Sequence, residues 1–313
     1  MGTDLQVGNT GALTLPDIER RRRAKARALA PLTRDGYSRD LRQFERWCES
    51  QGKQARPASP ETVSDYLEAL APCRKIATLR RHVAAIGAWH QQEGHPDPCR
   101  EELVRDTLRG IARERGTDQR QAAPLGSQEL ERIVARVDGT RLKDLRDIAL
   151  MRVGRDLLAR ASELVSLTVE AVSFTDEGAL VRLRRHKTST EAVPCLVGME
   201  AAAALVSYLR AAGITDGPLF RALTKGGRVK ASGITRRDVG RVLRELGERG
   251  KLGCRLSGHS LRVGMAQDLV AAEIGENLIM QAGGWGSSRM VARYASKLKA
   301  AAGAIARFYA RRG

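Results

Sequence analysis

Three short runs in the second half of the chain hold side chains suited to handling a phosphodiester. LLARASELVSLT sets Arg160 and Glu163 three residues apart, SGHSLRVG sets His259 and Arg262 at the same spacing, and AGGWGSSRMVARYA supplies Trp285 and Tyr294. Breaking a phosphodiester without a metal requires few groups. Two fixed guanidiniums meet the charge that grows on the nonbridging oxygens, a nucleophile stands in line with the leaving oxygen, and an acid protonates that oxygen. Each preorganised donor contributes on the order of 3 kcal/mol. A tyrosine nucleophile, with an ordinary pKa of about 10, needs a proton acceptor or positive surroundings. Its aryl phosphate is in turn a good leaving group that a free hydroxyl can attack, so the bond energy is kept and rejoining needs no ATP.

Taken singly, these residues have plainer explanations. An arginine and a glutamate at i,i+3 are a common surface pair on a helix, and HxxR arises often by chance. A single tryptophan usually sits in a core, and a single tyrosine packs with a wet tip. Together and in this order, the set resembles the tyrosine site-specific recombinase (phage integrase) family, above all its Cre-like members. SGHSLRVGMAQDLV, IMQAGGW and the nine-residue step from Trp285 to Tyr294 carry the resemblance, with Trp285 standing where most members have histidine. TRDGYSRDLRQFERWC and the stretch from GHPDPC to IARERG extend it through the first half.

The resemblance implies a role for each residue. Arg160 and Arg262 grip the scissile phosphate, with Glu163 orienting Arg160. His259 hydrogen-bonds the phosphate and is a candidate acceptor of the tyrosine proton, while Trp285 donates its indole N–H. Tyr294 is the nucleophile that forms a 3′-phosphotyrosine and frees a 5′-hydroxyl. Lys187, in RRHKTST, matches the hairpin lysine that serves as general acid; Lys225, beside two glycines, is its rival, and Tyr309 is the one competing C-terminal nucleophile. Arg34, Arg39 and Arg42 lie on the helix matching one laid in the major groove, and Arg81 lies on another such helix. Arg236 aligns with a base-reading arginine, and Arg237 is adjacent. Most arginines at such surfaces touch phosphate rather than bases.

The same resemblance implies a mainly α fold with a small antiparallel β-sheet in the C-terminal domain, in a two-domain C-shaped clamp. It implies strand exchange through a Holliday junction at paired inverted-arm sites of duplex DNA, with no metal, cofactor or ATP. A dimer would occupy each site and a tetramer the synapse, each protomer donating its last helix to a neighbour. Two other readings stay open. One is a telomere resolvase or type IB topoisomerase-like strand transferase, proteins that usually carry large extra domains. The other is a non-catalytic basic DNA-binding or architectural protein.

The elements that must position these residues are legible from periodicity. Residues 1–15 carry three glycines and form a flexible start, and 16–115 read as a helical bundle. Helices are expected over Asp17–Leu29, from Thr33 after a break at Pro31, from Ser59–Pro60, around Leu79–Trp89, and from about Cys99 to Arg115. Residues 116–126 (GTDQRQAAPLG) read as a linker, and 127–313 as the catalytic domain. There Ala179–Arg184 alternates, and a polar turn leads to Val193–Leu196, so a short antiparallel sheet is expected. Helices follow over Glu200–Ala212, Thr235–Glu248, Leu261–Ala272, Leu278–Ala282 and Ala301–Tyr309.

Composition narrows the partner. At 313 residues the chain has room for two cores, and a formal charge of +18 points to a polyanion. Arginine supplies most of that charge, and its planar fork suits phosphates and guanine edges. Aromatic residues are only 4%, too few for the stacking platforms of single-strand and RNA binders, which favours duplex DNA. No apolar run is long enough for a membrane span, and Met1–Leu15 lacks a secretory core, so a cytoplasmic protein is expected. Five scattered cysteines without a CxxC pair read as small buried hydrophobes. No cluster of carboxylates supports a metal-dependent nuclease.

Overall fold

The computed structural model describes residues 15–28, 30–117, 121–185 and 191–301, and the chain divides into two units, Met1–Arg120 and Gln121–Gly313. The first unit is helical: α1 (Leu15–Ala28), α2 (Pro31–Ser50), α3 (Pro60–Leu70), α4 (Ile76–Glu93) and α5 (Glu102–Arg115). The expected break falls between α1 and α2, and Pro31 itself opens α2 two residues earlier than Thr33, because a proline at the first helical position loses an N–H that had no partner there. At α3 the Ser59 hydroxyl accepts the Thr62 N–H at 3.2 Å. Helix α2 packs on α4 and α3 on α5, burying Phe44, Tyr66, Leu67, Leu79, Ile86 and Ile111. His90 is a satisfied core residue, its Nε2 accepting the Ala58 N–H at 2.9 Å.

The second unit begins with α6 (Ser127–Val134), α7 (Leu142–Asp156) and the one-turn α8 (Ala161–Leu164). A three-stranded antiparallel sheet follows, in the order β1 (Val172–Thr175), β2 (Gly178–Leu183), β3 (Val193–Gly198). After α9 (Met199–Ala212) comes a hairpin of β4 (Arg221–Leu223) and β5 (Val229–Gly233). Four helices complete the described chain: α10 (Arg236–Arg249), α11 (Gly258–Ala271), α12 (Glu276–Gly283) and α13 (Ser288–Ala301). Strand β2 alternates as expected, with Val181 and Leu183 buried and Leu180 and Arg182 exposed. Periodicity gives no sign of β1, which has no buried face, or of the β4–β5 hairpin, whose first strand is three residues long. Leu150, Met151, Leu157, Val181, Val197, Leu205 and Tyr208 centre the main core. The expected last helix, Ala301–Tyr309, lies outside the described residues beyond its first position.

Two expectations change. Cys48 is buried, but Cys73 and Cys254 are exposed, so the five cysteines are not uniformly core residues. The segment 121–126, read as the end of a linker, is packed: Leu125 is fully buried and its N–H donates to the Ser260 carbonyl at 3.0 Å. A Cβ on Gly264 would stand 1.9 Å from the Leu125 carbonyl oxygen, so only glycine lets α11 approach this closely. No described helix is long and apolar enough to cross a membrane.

Candidate active site

Helix α11 begins at the SGHS run, where the Ser257 N–H donates to Ser260 Oγ at 2.9 Å. One turn in, Arg262 is 1% exposed. Its Nη1 donates to the Leu158 carbonyl and its Nη2 to the Gly283 carbonyl at 2.8 Å. Burial, then the charge of Arg160, pushes its pKa down to about 10, which leaves it a cation at neutral pH. Its Nε is buried without a partner among the described residues. Leu158 itself has a φ of 43°, a left-handed conformation that side chains other than glycine seldom adopt. A buried guanidinium held by carbonyls rather than by a carboxylate keeps its positive charge available to an anion.

Arg160 caps α8 rather than sitting inside a helix. Glu163, in the first turn, accepts the Arg160 backbone N–H at 2.7 Å and Arg160 Nη1 at 2.5 Å. The same Nη1 donates to the Arg185 carbonyl at 3.0 Å. The Arg160 side chain is 41% exposed and Glu163 is buried. The carboxylate therefore fixes both ends of Arg160, while the outer edge of the guanidinium faces solvent.

Tyr294, on α13, is 3% exposed, and its hydroxyl lies 3.1 Å from His259 Nε2. The two rings meet edge-on at 6.1 Å. Trp285 lies 5.4 Å from the Tyr294 ring and 5.0 Å from the Arg262 guanidinium carbon, so it spans the nucleophile candidate and the buried cation. The glycine pair before it has a steric reason: a Cβ on Gly283 would stand 2.6 Å from the Trp285 ring. Burial, followed by the charges of Arg262, Arg160 and Arg293, lowers the His259 pKa below 6.5. His259 is thus neutral at physiological pH and able to accept a proton.

Of the seven catalytic candidates, these six share one neighbourhood; Lys187 lies outside the described residues, as does Tyr309. Lys225 lies at the β4–β5 turn, lining a basic recess with Lys143, Arg146 and Lys230, and none of the six lines that recess. Arg34, Arg39 and Arg42 are exposed on α2, and Arg236 and Arg237 are exposed in the first turn of α10. Arg81, on α4, is paired with Asp40, whose burial gave no signal in the sequence. Two supporting residues also went unread. Arg185 is buried, donating to the Leu157 carbonyl at 2.6 Å and to Cys195 Sγ at 3.3 Å, and Gln267 Nε2 donates to the Tyr294 carbonyl at 3.0 Å. Among the described residues, no group of three or more histidines, cysteines or carboxylates is placed to hold a metal.

Family models match both parts of the chain: the phage integrase family over residues 124–301 and the phage integrase N-terminal SAM-like domain over residues 24–92. An integrase/recombinase xerD homolog of Selenomonas ruminantium is 31% identical over 301 residues, covering 92% of this chain and 87% of its own. Recombinase cre of Escherichia phage P1 is 29% identical over 289 residues, covering 85% of this chain and 84% of its own. The fold matches the XerH site-specific recombinase bound to a palindromic difH substrate after cleavage, with a TM-score of 0.68 at 15% identity over 91% of this chain and 84% of that one. It also matches a lambda integrase dimer bound to a COC′ core site, with a TM-score of 0.60 at 13% identity over 90% and 95%. By motif order, fold and similarity along nearly its whole length, the chain belongs to the phage integrase family, the tyrosine recombinases.

Proposed function

We propose that this protein cuts and rejoins duplex DNA at paired inverted-arm sites, through a covalent 3′-phosphate on Tyr294 and a Holliday junction. The observation that carries the reading is the Tyr294 hydroxyl resting 3.1 Å from a neutral His259, beside a tryptophan that packs on the buried Arg262. In the cleavage step the phenolic oxygen bonds to phosphorus and its proton passes to His259. The bond from phosphorus to the 5′ oxygen breaks, and that oxygen takes a proton, for which Lys187 is the expected donor. Arg160 and Arg262 meet the charge on the nonbridging oxygens, and Glu163 holds Arg160 in place. Religation reverses the step with a 5′-hydroxyl from the partner strand. The protein acts in the cytoplasm as a dimer on each site and a tetramer in synapsis.

A nicked suicide substrate carrying a cognate site tests this. Incubated in EDTA, it should yield a covalent protein–DNA adduct that Tyr294→Phe eliminates. Absence of any adduct would leave a DNA-binding protein without chemistry. A two-site plasmid then separates recombination from relaxation, and relaxation alone would favour a topoisomerase-like enzyme.

A further inference from the structure

Arg81 is held by a carboxylate in a way that Arg34, Arg39, Arg42, Arg236 and Arg237, among the described residues, are not. Its Nε donates to Asp40 Oδ2 at 2.6 Å and its Nη2 to Asp40 Oδ1 at 2.9 Å. Asp40 is 4% exposed, while the Arg81 side chain is 52% exposed. The carboxylate is itself backed from inside: His82 Nε2 lies 3.4 Å from Asp40 Oδ1, and His82 Nδ1 meets the Tyr66 hydroxyl at 2.9 Å. Arg39, by contrast, donates to the Asp35 backbone carbonyl at 3.4 Å and meets no carboxylate among the described residues.

This geometry fixes which edge of the guanidinium is on offer. Asp40 consumes the side edge, formed by Nε and Nη2. The end edge keeps a parallel pair of N–H donors, one on Nη1 and one on Nη2. Two acceptors side by side match that pair, and among base edges in the major groove guanine offers them at O6 and N7, whereas adenine sets a donor beside its N7. The pairing also cancels the charge of Arg81, so the site is poorly suited to drawing in phosphate by charge alone and well suited to geometric discrimination. A fork held by a buried acid loses little freedom on binding.

We infer that Asp40 and Arg81 act as one unit that reads a guanine in each arm of the target site, with Asp40 the positioning residue that fixes the fork. This rests on the proposed function, with α4 facing DNA, and the test separates the two. Sites are selected from a random duplex pool with the wild-type protein and with Arg81→Ala, Arg81→Lys and Asp40→Asn, each checked for its melting transition and for covalent cleavage through Tyr294. The wild type should select a guanine at one position in each arm. Preference there should fall about tenfold to hundredfold in all three variants, with the other positions unchanged. Arg81→Lys, which keeps the charge and loses the fork, should be as indiscriminate as Arg81→Ala. Should Asp40→Asn not fold, Asp40→Ser takes its place.

Three results overturn the inference, each differently. If Arg81→Lys keeps the guanine, Arg81 acts as a point charge. If Asp40→Asn keeps it while Arg81→Ala loses it, Arg81 reads the base without a brace. If Arg81→Ala alters no position while covalent cleavage through Tyr294 persists, Arg81 reads no base and the proposed function stands without it; if cleavage is also absent in the wild type, it is the proposed function that fails.

Discussion

In the first unit the Tyr66 hydroxyl lies 2.9 Å from His82 Nδ1; in the second, the Tyr294 hydroxyl lies 3.1 Å from His259 Nε2. The two pairs have the same chemistry and similar lengths, and both tyrosines are buried. Their neighbours differ in sign. Behind His82 stands Asp40, and burial followed by the charge of that carboxylate pushes the Tyr66 pKa well up. Around His259 stand Arg262, Arg160 and Arg293. Charge developing on a phenolic oxygen is opposed in the first unit and met by cations in the second. A tyrosine against a histidine is therefore not a reactive site in itself, and the surrounding charge decides whether the pair can do work.

The comparison breaks most sharply at the two hydroxyls. Tyr294→Phe should abolish the covalent adduct on a suicide substrate, whereas Tyr66→Phe should cleave at close to the wild-type rate. Equal loss in both would mean that the first-unit pair is part of the chemistry. Arg160→Ala should lower the single-turnover cleavage rate about 100- to 1,000-fold. Because that side chain is 41% exposed, its melting transition should move little. A comparable loss of stability would make Arg160 a structural residue.

The histidines sharpen the contrast through pH. Burial lowers the pKa of both below the ordinary 6.5. Under the proposed role of proton acceptor, His259 must be neutral, so cleavage should hold steady down to about pH 6.5 and decline below it. His82 shows the same direction in stability. A folded pKa below the unfolded one gives stabilisation that is complete above the unfolded value and is lost as the pH falls through the folded one. Denaturant unfolding should therefore show stability declining below about pH 6.5, and His82→Asn should flatten that decline. A His82-dependent loss on the alkaline side would contradict this. The smallest effect belongs to Tyr66→Phe, which removes one buried hydrogen bond and should cost about 1 kcal/mol in the same unfolding measurement.

What the sequence disclosed follows from how each feature is encoded. The helices of the first unit repeat apolar residues at helical spacing, and the alternation of β2 exposes its two faces, so both were legible. The six candidates that the structure brings together were legible as a group because order and spacing, not any one residue, carry the resemblance. Leu158 was not, because a left-handed backbone at a leucine leaves no mark in residue type, and its carbonyl nonetheless holds Arg262. Nothing sets Arg185 apart from the other arginines of a basic chain, although its burial anchors the strand end beside Arg160. Asp40 stands between Arg39 and Leu41, with Arg42 beyond, and nothing in the sequence marks it as buried. Burial that depends on a partner from another helix cannot be seen in a local window. The β4–β5 hairpin is too short and too polar to show a period.

The close seating of Leu125 against Ser260 and Gly264 has a practical corollary for protein engineers. Anyone splicing a foreign module onto the second unit should place the junction at or before residue 120. A crossover five residues later would replace Leu125, whose buried side chain and backbone seat the helix bearing His259 and Arg262.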